Sequence, residues 1–238
     1  MQRAFYPEDD VCHVYLLHPP GGVAGGDSLA LNVNVGHDAH ALITTPGATR
    51  FYRSKGKPAL LDQQLRVTGG ALEWFPQDTL YFSGSNARGS TGIFLDATAK
   101  FVGWDIQCFG RPASNALFTT GSFTNRVALY RDKVPVFADR LQVANAADLL
   151  QRTGVRGHLV NAMMLVTPAS STMLDIVREQ LPAAQPTTSS VTLLPDLLVI
   201  RYLGDCAETA RDLFVRLWAS LRPWLLERPA CNPRIWAT

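Results

Sequence analysis

Charged residues are scarce in this chain of 238 residues, at 18% of the total, where roughly a quarter is usual for a globular protein. The formal net charge is only +2, and no block of lysine and arginine stands out. Nucleic acids and anionic membrane surfaces are usually bound through such basic patches. The sequence therefore predicts no nucleic-acid and no membrane partner, and the low charge indicates extensive burial or a surface covered by partners.

Closely spaced cysteines and long apolar runs are also missing. The four cysteines lie far apart without a C-x-x-C pair, at Cys12, Cys108, Cys206 and Cys231. The first ten residues contain no apolar signal core, and no apolar stretch is long enough to span a bilayer. We therefore expect a cytoplasmic protein with free thiols.

The usual motifs of nucleotide binding and nucleophilic catalysis are absent. Residues 84–91 have the glycine spacing of a phosphate loop but lack the lysine that reaches the terminal phosphates. Residues 21–26 do not fit G-x-G-x-x-G, because Val23 stands where the second glycine belongs. No serine lies in a G-x-S-x-G elbow. We interpret residues 84–91 as an ordinary β-turn between strands.

The five histidines form no H-E-x-x-H motif. His37 and His40 are three residues apart, but a turn followed by a strand does not make them converge. We interpret the histidines as surface or hydrogen-bonded core residues rather than as a tight zinc site. His18 is the exception, because it borders a glycine-rich stretch.

Short strand patterns separated by turn residues are what the sequence does contain. Residues 29–35 alternate apolar and polar side chains, as in a strand with one buried face. Similar runs predict further strands at residues 11–17, 39–45, 59–67, 72–75, 79–82, 92–95, 100–109, 121–131, 134–143 and 191–202. No long helical pattern interrupts the first half, so an all-β body is predicted.

Helical patterns begin only after residue 145. Residues 146–152 predict a short helix, and residues 170–181 predict a longer one that a serine caps. The clearest helix is predicted at residues 206–226, where leucines at 213, 217, 221 and 225 form a wide apolar stripe. Pro223 is expected to kink or end this helix.

Two carboxylates interrupt apolar strand patterns, Asp105 in residues 101–109 and Asp139 in residues 134–141. A buried carboxylate without a partner is costly, so an edge position or a pairing with a nearby arginine is one explanation. The other is a line of oxygen ligands in a polar passage, which binds divalent metals weakly and reversibly. Asp27, Glu73 and Asp78 are further candidates for that line.

Residues 18–27 (HPPGGVAGGD) are the most unusual stretch, with two prolines and four glycines. Such a segment cannot lie inside a helix or a central strand. Its backbone can approach something closely, whether a ligand, a metal or another strand.

Several blocks in order resemble the UreD/UreH family of urease accessory proteins. They are residues 18–27, 42–54 (LITTPGATRFYRS), 70–79 (GALEWFPQDT), 103–112, 201–205 and 229–236. Family members usually carry further strands before the region of residues 3–7. We therefore expect one domain of this type over residues 1–238, without those strands.

The resemblance implies a fold of stacked β-sheets of β-helical type with a few flanking α-helices. It implies no enzymatic activity and no tightly bound cofactor, since nickel(II) passes only transiently. It implies three partners, namely UreF, the GTPase UreG and the urease apoprotein, in a higher-order complex that is dimeric through UreF. The residues that match motif positions along a nickel route are Asp27, Asp105 and Asp139, with Glu73, Asp78 and His18 as additions.

Two other hypotheses stay open from the sequence. One is a metal-dependent β-fold hydrolase that uses Asp27 and His18. The other is a purely structural adaptor through which no metal passes.

Overall fold

The computed structural model describes residues 3–111, 114–181 and 188–237. Most of them lie in sixteen strands and two α-helices. The first nine strands are β1 Val11–Tyr15, β2 Gly22–Val23, β3 Ser28–Val35, β4 His40–Thr44, β5 Thr49–Phe51, β6 Ala59–Val67, β7 Ala71–Phe75, β8 Thr79–Tyr81 and β9 Ser85–Leu95. The remaining elements are β10 Lys100–Arg111, β11 Ala116–Leu117, β12 Gly121–Arg131, β13 Val134–Val143, β14 Val160–Thr167, α1 Ser171–Gln180, β15 Thr188–Leu194, β16 Leu197–Gly204 and α2 Ala207–Leu226.

Of the first twelve strands, all but β11 stack in parallel as coils of a solenoid, and β11 pairs antiparallel with the end of β10. Strands β1, β4, β7 and β10 pair in parallel, and strands β2, β5, β8 and β10 do the same farther along the coil. Strands β3, β6, β9 and β12 form the parallel part of the opposite sheet. The predicted mainly β fold of stacked, β-helical sheets is thus confirmed.

Antiparallel strands complete both sheets. Strand β13 pairs with β12 at one edge of the five-stranded sheet. Strands β14, β16 and β15 extend the eleven-stranded sheet beyond β10. We call the eleven-stranded sheet sheet A and the five-stranded sheet sheet B. Helices α1 and α2 pack on the face of sheet A that points away from sheet B.

Sheet A is therefore buried on both faces. Its inner face packs against sheet B through residues such as Leu65, Leu72, Phe101, Leu129 and Leu165. Its outer face packs against α2, whose predicted leucine stripe at 213, 217, 221 and 225 is buried. Two apolar layers in a chain of this size explain why charged residues are scarce.

The two α-helices match the predicted ones closely. The Oγ of Ser170 accepts a hydrogen bond from the amide of Met173 and caps α1. Helix α2 continues to Leu226, three residues past Pro223, and Glu227 then turns the chain with φ 58°. None of the helices in the described ranges is long and apolar enough to cross a bilayer.

Several local predictions are wrong. Residues 84–91 are not a β-turn, because Ser85 begins the long strand β9, which pairs in parallel on both sides. Residues 191–202 are not one strand but parts of β15 and β16, which form a hairpin around Asp196. By contrast, the short helix predicted at 146–152 is present, as the 3₁₀-helix Ala146–Leu150. Strand β14 was not predicted, because it is apolar along its length and shows no alternation.

Candidate functional site

A cavity of about 220 Å³ lies between the two sheets. Apolar side chains of both sheets form most of its wall, and a few polar groups point into it. This composition is typical of an internal binding site or passage. The polar side chains on its wall include His18, Thr45, Thr49, Gln63, Thr79, Thr91, Asp105 and Asn125.

Asp105 is the acidic side chain on this wall. It lies on β10, and its Oδ2 accepts hydrogen bonds from Nε2 of Gln107 and Nδ2 of Asn125, both at 2.7 Å. Among the described residues, none donates a hydrogen bond to Oδ1. Burial raises the pKa of this carboxyl above its ordinary value, and the charge of Asp139 adds to the effect, while the two amide donors partly oppose it.

Gly89 explains how Asn125 reaches Asp105. A Cβ atom at Gly89 would lie 2.5 Å from Oδ1 of Asn125, which is closer than real Cβ contacts. The glycine on β9 thus leaves the space in which the Asn125 amide lies beside the carboxylate. The glycine-rich stretch 84–91 lies in strand β9 and gives room there for a polar contact between the sheets.

A second, much smaller cavity of about 10 Å³ lies on the other side of Asp105. Asp105 and Asn125 line both cavities, and Asp139 lines only the small one. The predicted pairing of Asp139 with an arginine is confirmed, because Nη1 of Arg201 lies 3.2 Å from Oδ2 of Asp139. The two carboxylates that the sequence singled out therefore line the same small cavity, although the side chain of Asp139 is 32% exposed.

The glycine-rich stretch lies at the far end of the large cavity. His18 lines the cavity and also a shallow groove that includes Asp27. The Oδ2 of Asp27 accepts a hydrogen bond from the amide of Ala24 at 3.1 Å. The close approach expected here is to another part of the chain, since a Cβ at Gly22 would lie 2.4 Å from the carbonyl oxygen of Arg50.

Glu73 and Asp78 lie away from the cavity. Glu73 is fully buried on the outer face of sheet A, where it accepts hydrogen bonds from Trp218 and Arg222 of α2. Asp78 lies 3.8 Å from Nη1 of Arg211 and borders a groove beside the start of α2. The structure thus brings Asp105 and Asp139 together, places His18 and Asp27 at the far end, and separates Glu73 and Asp78 from all four.

The residues around Glu73 form a buried charged cluster that the sequence did not predict. Arg222 is fully buried and contacts both Glu73 and Glu8. His40 and His13 contact the same two carboxylates, each at 2.8 Å. Burial disfavours the charged form of Arg222, but hydrogen bonds to Glu8 and the charge of Glu73 outweigh it and raise the pKa of Arg222. The sequence feature that indicates this cluster is Arg222 itself, which lies four residues after Trp218 on the buried side of an apolar helix.

The chemistry of the inter-sheet region is that of weak oxygen ligation. A free carboxylate oxygen and neighbouring amides can hold a divalent cation without a closed set of strong ligands. In the described part of the chain, Asp27 and His18 do not join a third His, Cys, Asp or Glu within metal-ligand distance.

Comparisons with known proteins agree with the resemblance. The family model described as "UreD urease accessory protein" matches residues 1–237. The urease accessory protein UreD of Alcanivorax borkumensis is 42% identical over 240 residues, covering 100% of this chain and 82% of the relative. Those of Citrobacter koseri and Klebsiella aerogenes are 41% and 40% identical, with 100% of this chain and 82% and 87% of the relatives covered.

The match thus spans the whole coiled body, both helices and the C-terminal tail. The chain belongs to the UreD family of urease accessory proteins.

Proposed function

We propose that this protein is a cytoplasmic nickel-insertion scaffold without catalytic activity of its own. It binds the urease apoprotein and recruits UreF and the GTPase UreG in a higher-order complex that is dimeric through UreF. Nickel(II) passes through the protein on its way to the urease active site and is not retained. Nucleotide chemistry belongs to UreG, which agrees with the missing phosphate-loop lysine in this chain.

The observation that carries the proposal is the cavity between the sheets with Asp105 on its wall. Its volume of about 220 Å³ is many times the roughly 10–15 Å³ that a cavity needs to hold one water molecule. Oδ2 of Asp105 is occupied by two amide donors, while Oδ1 accepts none from the described residues. One carboxylate oxygen is thus fixed and the other is available to a passing cation.

The order of the polar residues gives the route a direction. His18 and Asp27 lie at the end formed by the glycine-rich stretch, and Asp105 lies between the large and small cavities. Asp139 follows on the far side of Asp105, paired with Arg201. We assign the route to these four acidic or imidazole side chains and regard Glu73 and Asp78 as members of ion pairs with α2.

Weak ligation suits transfer. Hard oxygen ligands without thiolate or clustered imidazole bind nickel(II) less tightly than a closed nitrogen or sulfur site. An ion that meets one carboxylate at a time exchanges ligands readily and moves on.

The test is co-purification of the chain with UreF, UreG and the urease apoprotein, with nickel counted in the activated urease. Asp105→Asn, alone and with Asp139→Asn, removes the carboxylate charge and keeps side-chain size. Asp132→Asn is the matched control, because Asp132 is exposed in the turn between β12 and β13 with φ 49°, which asparagine tolerates.

We expect the wild type and Asp132→Asn to assemble and to fill urease with nickel. Asp105→Asn is expected to assemble normally and to deliver at most about a tenth as much nickel, the effect of losing about 1.4 kcal/mol of ligation. Normal nickel delivery by the double variant would favour the structural adaptor. Failure of the folded wild type to bind any of the three partners would contradict the scaffold itself.

A further inference from the structure

Glu8, His13 and Cys231 bring three different metal-ligating atoms together on the outer side of sheet A. One ligand atom from each lies within 4.8 Å of the other two. Glu8 precedes β1, His13 lies in β1, and Cys231 lies in the tail after α2. In the described ranges this is the one group of three or more His, Cys, Asp or Glu side chains that converges in this way.

His13 carries an unexplained polar atom. Its side chain is only 1% exposed, and its Nε2 lies 2.8 Å from Oε1 of Glu8. Its Nδ1 is buried and has no hydrogen-bond partner. Buried polar atoms are nearly always satisfied, so a buried imidazole nitrogen without a partner, in a ring that belongs to this group, indicates that a ligand is missing.

The charges around the group are unbalanced. Two carboxylates, the fully buried Glu73 and the partly buried Glu8, face a single guanidinium, that of Arg222. His13 and His40 each contact one of these carboxylates. A divalent cation among Glu8, His13 and Cys231 would add positive charge where the acidic side chains outnumber the arginine.

Arg222 holds Glu8 in place without using all its acceptor capacity. Its Nη1 lies 2.6 Å from Oε2 of Glu8, and its Nη2 lies 2.9 Å from Oε1. Each carboxylate oxygen has two lone pairs, and Oε1 also contacts Nε2 of His13, so the lone pair that remains for a metal is on Oε2. Hydrogen bonds of this kind orient ligating carboxylates in known metal sites.

We propose that Glu8, His13 and Cys231 bind one zinc ion, and that this ion fastens the C-terminal tail to the first coil of the solenoid. Oxygen, imidazole and thiolate ligands together suit Zn²⁺, and three protein ligands leave a fourth position for water. The site is separate from the inter-sheet cavity, because sheet A lies between them. The proposal does not depend on nickel transit.

The experiment is a titration of the chelator-treated full-length chain with Zn²⁺ against a chromophoric competitor. Co²⁺ is used in parallel, since a thiolate ligand gives a charge-transfer band. We expect one ion per chain, a thiolate band with Co²⁺, and slower proteolysis of the tail when Zn²⁺ is bound. Loss of an outer hydrogen-bond partner alone weakens metal sites about 10–100-fold, so loss of the thiolate should weaken Zn²⁺ binding at least about 100-fold.

Cys231→Ser and Cys231→Ala are the test variants, and Cys12→Ser is the matched control. Cys12 is the neighbour of His13 in β1, and alternation along the strand directs it to the opposite face. The variants are compared by circular dichroism and thermal unfolding without metal, so that a folding defect is recognised. No Zn²⁺ binding by the wild type, or a thiolate band that persists in Cys231→Ala, would overturn the proposal, whereas Asp105→Asn should leave Zn²⁺ binding unchanged.

Discussion

The Asp105 carboxylate is held from one side only. Gln107 and Asn125 both donate to Oδ2, and the second oxygen has no donor among the described residues. The two amides need an acceptor, but they do not need a charge. Burial raises the pKa of this carboxyl, so its charged form costs stability in the folded protein.

The pH dependence of stability follows from that raised pKa. Between the ordinary value of 3.8 and the higher folded-state pKa, the native protein binds more protons at Asp105 than the unfolded chain does. The free energy of unfolding of the wild type therefore falls as pH rises through this window and levels off above it. Asp105→Asn can keep its Oδ1 as the acceptor for both amides and has no such dependence.

We expect Asp105→Asn to match the wild type near pH 4 and to be more stable at pH 7, as measured by urea unfolding at both pH values. Asp132→Asn should show no comparable gain, because Asp132 is exposed. A variant that is less stable than the wild type at pH 7 would mean that the carboxylate supports the fold.

Some contacts of the buried carboxylates follow from the sequence, and others do not. The pairing of Asp139 with an arginine was predictable, because a carboxylate in an apolar strand needs a partner. The Asn125 amide beside Asp105 was not predictable, since it comes from the opposite sheet and reaches Asp105 only over Gly89. Glu73, like Asp105, is a carboxylate within an apolar strand. Its position in β7 places its side chain on the face of sheet A that contacts α2.

Among the elements, α2 joins the apolar and the charged parts of the core. Its leucine stripe packs on sheet A, and the same buried side carries Arg222, which contacts carboxylates from β7 and from the segment before β1. The guanidinium also donates to the carbonyl oxygen of Pro229 in the tail. One side chain thus connects the helix, the sheet and both terminal segments.

Arg222→Met tests this connection. Methionine nearly fills the volume but leaves Glu8 and Glu73 buried without their cation, which typically costs about 3–5 kcal/mol. We expect a loss of this size in the free energy of unfolding, measured by urea denaturation at neutral pH. Arg216→Met, on the exposed face of α2, should change it by less than about 0.5 kcal/mol. Equal effects of the two substitutions would show that the cluster adds nothing.

Elements with one buried face were predicted well, and elements buried on both faces were not. The alternation of β3 and the stripe of α2 report a single apolar side. Strand β14 lies within sheet A with both of its faces buried, so its sequence shows no alternation of apolar and polar residues. The glycine-rich start of β9 was misread because glycine usually marks turns, whereas parallel neighbours on both sides keep it extended here.

At the scale of the whole molecule, the cavity is a product of the solenoid. Parallel coils place equivalent positions of β3, β6, β9 and β12 side by side, so the inner faces of two sheets enclose one continuous space. No local pattern predicts that space, because its walls come from residues 16–165 of the chain. A protein that conducts nickel and a purely structural adaptor would have the same external surface and would differ only in the interior.

Leu61 and Leu60, adjacent in β6, separate these two functions. Leu61 lines the cavity, while Leu60 is 37% exposed. A tryptophan at Leu61 fills much of the space without removing any carboxylate. We expect Leu61→Trp to bind UreF, UreG and the urease apoprotein but to deliver several-fold less nickel, whereas Leu60→Trp should deliver the wild-type amount.

The measurement is nickel per urease active site after co-expression, with complex formation checked on the same samples. Because both variants add one indole to the same strand, a loss of nickel without a loss of assembly in Leu61→Trp alone locates the defect in the interior. Equal nickel delivery by both variants would mean that the metal does not pass between the sheets, and the protein would then act on urease through its surface.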